Sequence, residues 1–224
     1  LLFNDIKKVK SGIYSLTNVN KESGLSDIIG EAPRIKNLKS QITKIANSNS
    51  TVLITGESGT GKELIARAIH SESERSNNPL VSINCGAIPD TLLESELFGY
   101  VKGAFTGAEK EKLGLVELAD QGMLFLDEVH RLPPEGQEML FYLLDRGEFL
   151  RLGETGTMRR AQVRIVAATT EDPESALLQT FLRRIPVVLQ IPKLAQRPLE
   201  ERLELIRYLL AREAVHLASS VSVS

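Results

Sequence analysis

The sequence predicts an α/β fold in which a parallel β-sheet is sandwiched by helices. Five short β-rich runs recur along the chain: "TVLIT" (51–55), "PLVSIN" (79–84), "MLFLD" (123–127), "VRIVAAT" (163–169) and "VVLQI" (187–191). Helical patterns separate several of them, and apolar strands alternating with helices imply a parallel sheet covered on both faces. The third observation is a glycine-rich stretch, "GESGTGKE", that follows the first run and opens a helix.

Taken in order, residues 1–26 are polar and weakly periodic. The turn formers of "SGIYSLTNVNKESG" carry no sustained stripe and read as an arm or linker. "APRIKNLKSQITKIA" then spaces Ile35, Leu38, Ile42 and Ile45 at helical intervals behind Pro33, which suits a helix start. "EFLRLGETGTMRRAQVRI" reads as two β-rich stretches around a Gly-rich turn, its basic residues a solvated face. The last segment, "RPLEERLELIRYLLAREAVHLA", reads as a long helix followed by a polar tail, "SSVSVS", that ends without a packed partner. No internal repeat of fixed period occurs, which argues against a solenoid.

With 224 residues and 42% hydrophobic content, the chain can supply an ordinary core for one large domain or one domain plus a fragment. The 27 Lys+Arg against 29 Asp+Glu leave a formal net charge of -2, so nothing in the balance advertises nucleic acid or an anionic membrane. A single cysteine, Cys85, excludes an internal disulfide framework and reads as a strand-end packing residue. His70, His130 and His216 lack Cys or His neighbours at metal-ligand spacing. No apolar run approaches the roughly 18 residues of a membrane span, and no secretion signal is present, so a cytoplasmic location is expected. The opening Leu1 in place of Met reads as a piece of something longer.

Gly56 to Glu63 form the G-x-x-x-x-G-K phosphate loop in its strand, loop, helix context. Its glycines let backbone N–H groups point at a phosphate chain, the helix N-terminus adds partial positive charge, and Lys62 reaches the terminal phosphates. Glu63 stands where Ser or Thr usually helps hold Mg²⁺, so the metal must depend on other oxygens. Asp127 and Glu128 supply them at the C-terminal end of a buried strand, where α/β sheets bind ligands. Asp127 would orient Mg²⁺ and Glu128 would activate water, giving ATP or GTP hydrolysis by positioning and charge stabilisation.

The order "DIIGEAP", "GESGTGKELIARAIH", "NCGAIPDTLLESELFG", "GAFTGA", "GMLFLDEVHRLP" and "VRIVAATT" resembles the central AAA+ ATPase domain of the bacterial sigma-54-dependent transcription activators, also called enhancer-binding proteins. The likeness covers about residues 27–217, and a Glu after the phosphate-loop lysine is that family's habit. The resemblance implies residues 1–26 as arm, 27–192 as AAA+ core and 193–224 as the truncated start of a helical lid. It implies a hexameric ring with ATP and Mg²⁺ at subunit interfaces, remodelling sigma-54 RNA polymerase, with DNA bound only through a domain absent from this chain. By position, Gly56, Glu57, Ser58, Gly59, Thr60, Gly61, Lys62, Glu63 and Leu64 bind ATP, and Ile29 and Gly30 pack near the adenine. Lys62, Asp127, Glu128 and Thr169 are then catalytic. Asn84 is the switch residue that holds Glu128 when the ring is not firing, or a plain strand-end cap. Arg183 or Arg184 is the arginine finger, and Gly103, Ala104, Phe105, Thr106, Gly107 and Ala108 contact sigma-54.

Two departures stand out. Thr170 follows Thr169 where the family commonly has Asn, and Ala176, Leu177 and Leu178 occupy the neighbourhood of an upstream arginine. They keep open a nucleotide-gated interaction module that hydrolyses weakly; another AAA+ motor, which would share the phosphate loop and acidic pair but not need "GAFTGA", is the other alternative.

Overall fold

In the computed structural model the described residues are 14–17, 24–156 and 158–221. The strands are β1 (Tyr14–Thr17), β2 (Val52–Thr55), β3 (Leu80–Asn84), β4 (Gly99–Tyr100), β5 (Lys112–Leu113), β6 (Met123–Asp127), β7 (Glu148–Phe149), β8 (Arg159–Arg160), β9 (Arg164–Thr169) and β10 (Val187–Gln190). The helices are α1 (Pro33–Ala46), α2 (Lys62–Ser71), α3 (Asp90–Phe98), α4 (Leu115–Leu118), α5 (Pro134–Arg146), α6 (Pro173–Ala176), α7 (Gln179–Leu182) and α8 (Leu199–Val221).

One sheet carries the order β1, β3, β6, β9, β2, β10, with all neighbours parallel except β1 against β3. Side chains alternate along the strands, so the central strands β3, β6, β9 and β2 each feed two cores. Leu53, Ile83, Leu124, Leu126 and Ile165 join Leu97, Phe98, Leu140 and Phe181 on one face. Val52, Ile54, Phe125 and Val166 join Ile35, Leu38, Ile42, Ile65 and Ile69 on the other. Burial of each such side chain contributes about 1.5–3 kcal/mol, which explains why these strands are apolar throughout.

Pro33 opens α1 as its fixed φ allows, and Ile35, Leu38 and Ile42 are buried while Ile45 is half-buried. The far end of α1 is capped from a distance. Arg164 of β9 is buried and donates to the carbonyls of Ile45 (2.7 Å), Ala46 (2.9 Å) and Ser50 (3.4 Å). Burial pulls its guanidinium down to about 10, still charged at neutral pH.

Two segments differ from expectation. Within the expected arm, Tyr14–Thr17 adds an antiparallel edge strand, Tyr14 opposite Ile83 and Thr17 opposite Leu80. The open edge of β3 supplies the hydrogen bonds that a four-residue run cannot organise alone. The polar tail expected from Ser219 is helical through Val221, because no Gly or Pro interrupts the ladder after Ala218; residues 222–224 lie outside the described residues. Leu199, Leu203, Ile206 and Leu210 of α8 are exposed. Among the described residues no helix is long and apolar enough to cross a membrane.

Candidate active site

The C-terminal ends of β3, β6, β9 and β2 lie side by side, and every chemistry-bearing motif of the core sits there. The phosphate loop leaves β2 at Gly56, whose N–H donates to Thr169 O on the neighbouring strand (3.3 Å). Gly61 adopts φ 93°, a left-handed conformation that lets the loop turn directly into α2. Lys62 is buried, and its ammonium donates to Gly56 O (3.1 Å) and Glu57 O (3.2 Å), lying across the loop that it serves. Thr60 Oγ donates to Glu57 O (2.7 Å), and Glu57 pairs with Lys193 (2.8 Å), while Ser58 and Gly59 are exposed at the rim. Glu63 turns along α2 to Arg67 (2.7 Å), and Leu64 is exposed.

On the other side of α2, Ile29 and Gly30 are tied down by their carbonyls. Lys39 donates to Gly30 O (3.2 Å) and Arg197 to Ile29 O (3.4 Å). Glu201 of α8 packs against Gly30, and both of its carboxylate oxygens are buried without a hydrogen-bond partner among the described residues, Arg197 standing 3.9 Å away.

Asp127 closes β6 directly opposite Asn84 of β3. Its Oδ1 accepts the Glu128 N–H (3.0 Å). Burial pushes its carboxyl above the usual range, and that N–H bond and the Lys62 charge oppose the shift. One Asp127 oxygen is left for a cation, and Mg²⁺ typically takes one or two protein carboxylates beside phosphate and water oxygens, so this donor set fits a nucleotide-borne Mg²⁺. Glu128 holds a left-handed backbone (φ 53°, ψ 44°). Its Oε2 accepts from Thr170 Oγ (3.2 Å), and His130 Nε2 lies 3.4 Å from the same oxygen.

Asn84 does not hold Glu128 in this structure. Its Oδ1 accepts the Gly86 N–H (2.8 Å) and caps the short turn Cys85–Ala87, so the oxygen is committed elsewhere. Thr169 is fully buried and bonds His130 Nδ1 (2.9 Å), leaving Thr170 as the hydroxyl that touches the carboxylate. Cys85 is buried, and its thiol is pushed up to about 12 by burial and then by Asp127, so it is a packing residue rather than a nucleophile. His70 bonds Asn78 O (3.1 Å); the His216 side chain lies outside the described residues.

Gly103 to Ala108 form a closed surface loop. Gly103 N–H donates to Ala108 O (2.8 Å) and Ala108 N–H to Phe105 O (3.0 Å), with positive φ at Gly103 (82°) and Gly107 (97°). Phe105 is 46% exposed and meets the edge of the Tyr100 ring, centroids 4.9 Å apart. The loop base is bonded to the β7–β8 hairpin: Val101 N–H to Leu152 O (3.1 Å) and Leu152 N–H to Gly99 O (2.9 Å). Buried Arg151 of that hairpin grips Glu117 through two bonds (2.7 and 2.9 Å) and Glu111 through one (2.8 Å). Of the two arginines after α7, Arg184 pairs with Asp145 and lies over the Phe141 ring, 5.3 Å from its centroid, whereas the Arg183 side chain is exposed.

The model of the sigma-54 interaction domain matches residues 28–190. The chain belongs to that family. This sigma-54 interaction domain is 49% identical over 179 residues to the transcriptional regulatory protein LevR of Bacillus subtilis, covering 77% of the chain and 19% of LevR. It is 43% identical over 215 residues to the Nif-specific regulatory protein of Azotobacter vinelandii, covering 93% of the chain and 39% of that protein. The chain thus spans well under half the length of these curated relatives. Among solved structures, NtrX from Brucella abortus in complex with ADP superposes with a TM-score of 0.78 at 33% identity, over 85% of this chain and 42% of that one. The fold is that of the AAA+ P-loop NTPases.

Within the sigma-54 interaction domain, His130 is the residue that sequence reading passed over, having weighed it only as a metal ligand. Its place two residues beyond Glu128 becomes meaningful once the left-handed turn at Glu128 folds the chain back on the carboxylate.

Proposed function

We propose that this domain hydrolyses ATP at the interfaces of a homo-oligomeric ring, expected to be a hexamer, and uses hydrolysis to remodel sigma-54 RNA polymerase through the Gly103–Ala108 loop. The observation that carries the reading is the convergence of Lys62, Asp127, Glu128 and Thr170 at the ends of three adjacent strands, β2, β6 and β9, with Gly56 bonded to Thr169.

The loop's N–H groups and Lys62 bind the phosphates, Asp127 holds Mg²⁺ alongside the phosphate oxygens, and Glu128 takes the proton of the attacking water. Bound Mg²⁺ supplies charge neutralisation at the β- and γ-oxygens. The base packs by Ile29 and Gly30. The buried Glu201 carboxylate there, which lacks a hydrogen bond and has Arg197 3.9 Å away, suits the amino group of a 6-aminopurine better than the oxygen of a 6-oxopurine, which favours ATP over GTP. NtrX, whose structure is similar, was solved with ADP. Arg183 is free to reach a neighbouring subunit's phosphates, and Arg184 must first leave Asp145.

The loop and the β7–β8 hairpin move together because Gly99 and Val101 at the loop base are bonded to Leu152 of the hairpin, and a raised Phe105 is the apolar contact for sigma-54. Residues 27–192 act as the ATPase core and 193–224 as the start of a helical lid, with promoter DNA bound by a separate domain. The test is ATP turnover per subunit against protein concentration. An interface-built site gives a steep rise as rings form, and a flat rate refutes the ring-dependent mechanism. Glu128→Ala should keep ATP binding and lose turnover.

A further inference from the structure

Glu128 faces a second donor beside Thr170. His130 sets Nε2 3.4 Å from Glu128 Oε2 and Nδ1 2.9 Å from Thr169 Oγ. The Thr169 hydroxyl decides which ring nitrogen carries the proton. Its oxygen accepts the Glu171 N–H (3.1 Å) and its side chain is wholly buried, so its O–H has His130 Nδ1 as its acceptor among the described residues. A proton on Nδ1 would leave that buried O–H without an acceptor, an arrangement folded proteins avoid. The imidazole is therefore held as the Nε2–H tautomer, with Nε2 3.4 Å from Glu128 Oε2, a polar contact longer than a formed hydrogen bond, of the kind that tightens when substrate binds.

We propose that His130 is a positioning residue for hydrolysis: Thr169 fixes its tautomer, and its Nε2–H, with Thr170, holds Oε2 of Glu128 so that Oε1 faces the attacking water. This rests on the reading of Glu128 as the water-activating group. Both holds start from the end of β9, Thr170 directly and Thr169 through His130, so a shift of that strand end reaches the carboxylate by two routes. The role that the family resemblance gave to Asn84 falls here to His130 and Thr170, while Asn84 caps its own turn.

The experiment measures ATP turnover and binding of a fluorescent ATP analogue for E128Q, H130F, H130Q, T169V and H130F/T169V, at a concentration where turnover per subunit no longer rises. H130F should lower kcat about 10- to 100-fold, the effect of a misplaced catalytic group, with KM and analogue affinity held within about twofold. H130Q, whose amide N–H reaches in the same direction, should recover most of the loss. T169V should be slower than the parent, and the double variant no slower than H130F alone. Parent-like kcat in H130F or T169V, or analogue binding lost in step with turnover, overturns the proposal. E128Q separates the two levels: turnover in E128Q sinks the reading of Glu128 itself, whereas a silent E128Q beside a fully active H130F sinks only the role of His130.

Discussion

Thr170 donates a 3.2 Å hydrogen bond to Glu128 Oε2 and so joins the end of β9 to the carboxylate at the end of β6. Because β9 lies between β6 and β2, Thr170 stands between that carboxylate and the phosphate loop. In the proposed mechanism one hydroxyl therefore stands between the γ-phosphate on the loop and the water at Glu128. Thr170→Val removes it and should lower kcat about tenfold, or about 1.4 kcal/mol, with ATP affinity unchanged. Thr170→Asn keeps a donor and should stay close to the parent. Steady-state kinetics beside equilibrium nucleotide binding reads both, and a parent-like valine variant would remove Thr170 from the mechanism.

Phe105 is nearly half exposed, with its ring against the edge of Tyr100. Truncating it opens no core cavity, so Phe105→Ala should leave thermal stability and ATP turnover near those of the parent. It should abolish capture of sigma-54 in the presence of ADP and aluminium fluoride. A pull-down that retains sigma-54 would show that the loop binds by other means.

Arg151 is buried between Glu117 and Glu111. Arg151→Met leaves the partly buried Glu117 carboxylate with only its longer contact to Arg159 (3.5 Å), and losing the charge-assisted bonds to Arg151 costs about 1.5–3 kcal/mol. Chemical denaturation should register that loss. Sigma-54 capture should weaken more than analogue binding, since Arg151 joins the hairpin to Glu111 and Glu117 just after the loop and not to the phosphate loop. Equal losses of both would mean that the pair serves stability alone.

The Cys85 thiol stands at about 12 against an ordinary 9.0 because it is buried. The folded protein therefore keeps this proton after the unfolded chain has released it. Above about pH 9 the unfolded state gains, and the site subtracts stability as pH rises towards 12. In native protein at pH 8, a thiol reagent should label Cys85 orders of magnitude more slowly than in denaturant. Fast native labelling would contradict its burial.

The five core strands were legible because parallel strands buried on both faces are apolar throughout, and each ends within a residue of its expected limit. The phosphate loop and acidic pair were legible because their chemistry is local in sequence. Strand β1 was not: four residues gain strand character only from the edge of β3. His130 escaped notice because its contact depends on the backbone turn at Glu128, which residue types alone do not disclose. Asn84 was recognisable as a polar strand end, but whether it bonds Glu128 or Gly86 is a matter of geometry. The hold of Asp145 on Arg184 is likewise a meeting of α5 with the segment after α7 that only packing creates.

The central claim is that the state of the nucleotide decides whether the Gly103–Ala108 loop engages sigma-54. The most direct measurement is sigma-54 binding to this protein with no nucleotide, with ADP, and with ADP plus aluminium fluoride, under conditions where ATP turnover is verified. Stable binding with ADP and aluminium fluoride alone is the predicted result. Equal binding in all three states, or none in any while ATP is turned over, would contradict it.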